Sequence, residues 1–95
     1  MDARSKNLLL YLAEATDKQL SNFLKIADKG QILILKETVF NLLLDNIPVT
    51  EEEKKSLSKY KTFLRDFASK RSKSKVNTKA IKLVLSIAAP ALKGR

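Results

Sequence analysis

Between Lys54 and Lys82 the chain places eleven bases, Lys54, Lys55, Lys59, Lys61, Arg65, Lys70, Arg71, Lys73, Lys75, Lys79 and Lys82, against a single acid, Asp66. Ammonium and guanidinium groups at that density are suited to neutralising phosphate oxygens. Direct reading of base edges needs Arg, Asn or Gln aimed into a groove, whereas this tract is mostly lysine with interspersed serine. A run of one sign also repels itself, and a polyanion relieves that repulsion. The pattern therefore predicts sequence-independent binding of nucleic acid, with duplex DNA the expected partner and an affinity that falls with salt. Acidic protein surfaces and anionic membranes are the other polyanions that fit. A solvated helix face accounts for any one of these lysines, but not for the unbroken run.

Other chemistries lack their residues. The 95-residue chain has no His, Cys or Trp, which removes His/Cys metal sites, thiol and Ser/His nucleophile systems and disulfide scaffolds. No glycine-rich phosphate loop is present. The sequence is read as non-enzymatic, with no cofactor, no metal and no small-molecule substrate. The consecutive Glu51, Glu52 and Glu53 follow Thr50, so they read as a capping box at a helix start, where the helix dipole favours carboxylates. Tyr60, Phe63 and Phe67 offer rings for base stacking, but their helical spacing favours core packing, with Phe63 at the edge of the apolar stripe.

The elements that must position this tract are helices. Hydrophobic residues make up 44% of the chain and there are only two glycines and two prolines, too few turn residues for a small β domain. A first helix is expected over about Ala3–Glu14, with Leu8, Leu9, Leu12 and Ala15 inward. Thr16 and Gln19 form a capping box for a second helix, Asp17 to about Lys29, which buries Leu20, Phe23, Leu24 and Ala27 and ends at a left-handed Gly30. The apolar run of Gln31–Asp45 predicts a third helix as the central core element, broken by Asn46-Ile47-Pro48-Val49. Thr16–Asp45 has the outline of a helix-turn-helix, yet its second helix is mostly apolar and its charges Lys36, Glu37 and Asp45 make it a poor base reader. A fourth helix is expected from the Glu triplet to Ser69, burying Leu57, Tyr60, Leu64, Phe67 and Ala68. At about 100° per residue, Lys54, Lys61 and Arg65 would then share one edge over roughly 16 Å, with Lys55 and Lys59 farther round. A last helix, about Lys79–Ala89, is capped by Asn77 or Thr78, buries Ile81, Val84, Leu85 and Ala88, and is ended by Pro90.

The predicted architecture is an all-α protein, a small bundle of four to five short helices with a basic C-terminal segment. Residues 1–69 form the helical domain, 70–78 a basic linker, and 79–95 an amphipathic helix and tail. Charge divides the chain sharply: residues 1–50 hold six bases and six acids, and residues 51–95 hold thirteen bases and four acids, so the whole excess of nine lies downstream. The N-terminal apolar run is too short for an export signal, and no stretch approaches the roughly 20 apolar residues of a membrane span.

From about Gly30 to Lys82 an apolar helix leads to Asp45-Asn46-Ile47-Pro48-Val49-Thr50, then to a lysine-rich helix with Lys59-Tyr60-Lys61 and Leu64-Arg65, then to Ala68-Ser69-Lys70-Arg71 and a basic run. This order resembles the small basic virion core proteins, likened to the adenovirus core peptide, of polinton and adintovirus-type DNA viruses and their integrated copies. The paired glycines of that family's apolar tail are lacking between Ala80 and Leu92. The resemblance implies a DNA-condensing protein of the virion and host nucleus, with a capsid protein or a second copy as possible further contacts. Without it, the expectation is a soluble intracellular protein. The competing expectation is an interaction module that oligomerises or binds anionic membrane peripherally through its apolar C-terminal segment.

Overall fold

A computed structural model describes residues 3–69 and 77–93. Six helices are present among them: α1 (Ala3–Glu14), α2 (Asp17–Ile26), α3 (Lys29–Leu43), α4 (Glu51–Ser58), α5 (Lys61–Ala68) and α6 (Thr78–Lys93). The all-α expectation holds, and no strand occurs among the described residues. The helix count exceeds the expected four to five because the predicted fourth helix is two.

Helix starts follow local chemistry. Thr16, Asp28 and Thr50 each accept from the backbone N–H three residues on, and Gln19, Gln31 and Glu53 each reach back to the cap N–H. Each reciprocal pair satisfies two amides that a helix leaves unbonded. Asn77 Oδ1 accepts from Ala80 N–H at 3.1 Å and starts α6.

The helix ends depart from expectation in four places. First, α2 stops at Ile26, and Ala27 and Asp28 are extended, so Asp28 caps α3 and Gly30 lies inside that helix without a positive φ. An acceptor side chain at Asp28 with Gln31 three residues later outweighs the glycine as a signal. Second, α3 is ended by Asp45 before Pro48 is reached. Asp45 takes φ 61°, its N–H donates to Leu42 C=O at 3.2 Å and Asn46 N–H donates to Asn41 C=O at 2.9 Å. That is a Schellman motif with aspartate in the position glycine usually occupies. Third, the predicted fourth helix breaks at Lys59–Tyr60. Ser58 Oγ donates to Lys55 C=O at 2.7 Å, the carbonyl that Lys59 N–H would have used. Lys59 N–H turns to Ser56 C=O at 3.3 Å and Tyr60 N–H to Leu57 C=O at 3.0 Å, so serine competes with the helix ladder and tightens the turn. Fourth, Pro90 lies within α6 and does not end it. Pro90 and Ser86 are both exposed, so the Ser86 carbonyl that loses its partner faces solvent.

The core sits around α6, not α3. Ala80, Ile81, Val84, Leu85, Ile87, Ala88 and Ala89 of α6 are buried, and the helix packs against α1, α2, α3 and α4. Leu9 and Leu12 of α1, Leu20 of α2, Leu35, Val39 and Leu42 of α3 and Leu64 and Phe67 of α5 complete the core, with α5 packed against α3. Each such side chain withdrawn from water contributes about 1.5–3 kcal/mol. The sequence places α6 last, but its apolar face is the one most other helices share.

Candidate nucleic-acid interface

The cations expected to bind phosphate fall into three groups. Lys55 on α4, Lys59 at the α4–α5 turn, Lys61 and Arg65 on α5 and Lys79 on α6 are exposed. Among the described residues, none of these five is ion-paired with a carboxylate. Lys61 and Arg65, four residues apart, lie one turn apart on the same face of α5. That helix is strongly two-sided, with Leu64 and Phe67 buried beneath.

Lys54 and Lys82 form the second group, each engaged within the fold. Lys54 Nζ is 3.9 Å from Glu51 Oε1, with both side chains well exposed, a pair worth little in water. Lys82 is different. Its ammonium donates to the Ala15 carbonyl and lies 3.5 Å from Asp17 Oδ1, with its side chain only 36% exposed. It fastens α6 to the α1–α2 corner. Lys82 therefore has a structural role that a count of charges does not reveal, because its carbonyl acceptor lies 67 residues away in sequence. Lys70, Arg71, Lys73 and Lys75 form the third group and lie outside the described residues.

The single-edge ladder of Lys54, Lys61 and Arg65 is not formed, since the turn at Lys59–Tyr60 separates α4 from α5. What the fold brings together is the α5 pair. Lys61 and Lys79 each occupy the first turn of a helix, where the dipole disfavours a cation by about 0.3–1 kcal/mol. Helix stability does not explain that placement.

The rings belong to the core more than to the surface. Phe67 is buried, Tyr60 and Phe63 are half-buried against the core cluster, and Phe63 stacks on Phe67 with centroids 5.9 Å apart. Lys36 was not expected here, yet its Nζ lies 5.7 Å from the Phe67 ring centroid. The outer face of α3 carries exposed Leu33, Phe40 and Leu44, which suits neither base edges nor phosphates.

No helix among the described residues is long and apolar enough to cross a membrane. The apolar positions of α6 on which peripheral membrane binding would rely are the ones buried in the core. No group of three or more acids arranged to hold a metal ion occurs among the described residues. Comparison with known proteins finds no matching family model, no matching curated protein and no matching solved structure.

Proposed function

We propose that this chain binds nucleic acid through phosphate contacts, without reading base sequence, and acts as a non-enzymatic DNA-condensing protein of the virion-core kind. The observation that carries the reading is that five cations of the basic tract, Lys55, Lys59, Lys61, Arg65 and Lys79, are exposed and, among the described residues, without carboxylate partners. The basic residues Lys70, Arg71, Lys73 and Lys75 lie between Arg65 and Lys79 in sequence and extend the charge. Six or so phosphates neutralised together predict that log K falls with log salt at a slope of about −5. Random-sequence duplex titrated at several salt concentrations tests this. Affinity that is missing at low salt, or indifferent to salt, refutes it. Complete competition by unlabelled random DNA is expected, and failure to compete would indicate a sequence reader instead.

A further inference from the structure

The outer face of α3 has the pattern of one side of a helix pair. Leu33, Phe40 and Leu44 are 40%, 51% and 54% exposed. At about 100° per residue they fall within about 40° of one another. Glu37 stands one turn from both Leu33 and Phe40, at the edge of this apolar stripe. On the helical projection Lys29 and Lys36 lie along one flank of this stripe and Glu37 along the other. The opposite side of α3, with Leu35, Thr38, Val39 and Leu42, is already buried. Leu33, Lys36, Glu37 and Phe40 border a shallow groove whose far wall includes Ala68.

We propose that this stripe is the contact through which two copies of the chain associate, α3 against α3 and pointing the same way. The charges select both occupant and direction. A two-fold axis along the helix direction brings each flank against the opposite one, so Lys36 meets the partner's Glu37 on both sides of the apolar seam. An antiparallel pairing lays the lysine flank on the lysine flank and repels. A phosphate lattice or an anionic lipid surface would meet Glu37 beside the seam, whereas a second copy supplies its counter-charge. The Phe67 ring lies beneath the Lys36 ammonium and holds that cation near the seam. Three apolar side chains on one helix fall short of the roughly 1,200–2,000 Å² that stable interfaces bury, so the dimer is reversible, with a dissociation constant in the micromolar range or weaker. This inference does not depend on nucleic-acid binding.

The test is sedimentation of the full chain without nucleic acid, at low salt, from about 10 μM to about 1 mM. A monomer–dimer equilibrium is expected. Phe40→Ser should abolish it, and Lys36→Glu and Glu37→Lys should each weaken it about tenfold. An equimolar mixture of those two charge variants should restore it, because the mixed dimer regains both opposite-charge contacts. Circular dichroism establishes that each variant is folded; should Phe40→Ser not fold, the mixing experiment decides alone. A chain that stays monomeric at every concentration overturns the proposal. So does a dimer that none of the substitutions weakens, or a mixture that fails to recover association.

Discussion

Lys82 offers the sharpest separation of a structural cation from a phosphate-binding one. Replacing it with methionine keeps the aliphatic stem and removes the ammonium. The bond lost is a charge-assisted one to the Ala15 carbonyl, of a kind worth about 1.5–3 kcal/mol when well shielded. Partial exposure of Lys82 places the loss at the low end. The Asp17 carboxylate, whose side chain is 68% exposed, adds no more than about 1 kcal/mol. Gain from a better-buried apolar tip offsets part of this, leaving a cost of about 1–2 kcal/mol. In a domain of this size that lowers the melting temperature by roughly 4–16 °C. The salt slope for duplex binding, measured where the variant is fully folded, should stay unchanged. Lys61→Ala with Arg65→Ala should do the opposite: little change in melting, and a slope reduced by about 1.8, since each phosphate contact contributes about 0.9. If Lys82→Met melts like the parent and lowers the slope by about one, Lys82 contacts phosphate and its assignment to the α1–α2 corner is wrong.

Two further substitutions probe the fold that holds the proposed interface. Asp45→Gly should raise stability by about 0.5–1 kcal/mol in chemical denaturation, because glycine takes the left-handed position without strain and the carboxylate leaves the negative end of α3; Asp45→Ala should fall below Asp45→Gly, and the reverse order would contradict the Schellman geometry. Leu85→Ala, at the centre of the α6 face, should cost about 2–5 kcal/mol, a large part of the total for a small domain; a nearly neutral result would mean that α6 is not the core helix.

Much of the architecture was legible from local rules. The capping boxes at Thr16 and Thr50 and the amphipathic spacing of Leu20, Phe23 and Leu24 act within a few residues, and they give the starts of α2 and α4 where the sequence placed them. Helix ends were harder because several local signals compete. Gly30 and Pro48 are both plausible stops, yet Asp28 and Asp45 act first through hydrogen bonds. Ser58 looks like an ordinary surface serine until its hydroxyl takes the Lys55 carbonyl. The place of α6 was not legible at all: an amphipathic face states only that something covers it, not whether that is a partner, a membrane or four helices of the same chain. The engagement of Lys82 was not legible for the same reason, since its acceptor comes from the α1–α2 corner. Exposure of Lys61, Arg65 and Lys79, by contrast, followed directly from the apolar periodicity of their helices.

Five of the ten acids make capping bonds or ion pairs within the fold. Asp28 and Glu53 cap helices through their carboxylates, with the Glu53 side chain turned back to the Thr50 amide. Glu51 lies beside Lys54, Asp17 beside Lys82 and Glu14 beside Lys93. These contacts tie carboxylates to helix starts and to Lys54, Lys82 and Lys93, not to Lys59, Lys61, Arg65 or Lys79. The neutral sum of residues 1–50 therefore does not cancel the tract that follows. A fold that only needed solubility gains nothing from keeping α5 and the start of α6 short of acids, and Lys61 and Lys79 work against their own helix dipoles. On the proposed function a polyanionic ligand would turn both placements from costs into contacts: the same first-turn positions that disfavour a cation present backbone N–H groups to an anion, so lysine and helix end would act on one phosphate together.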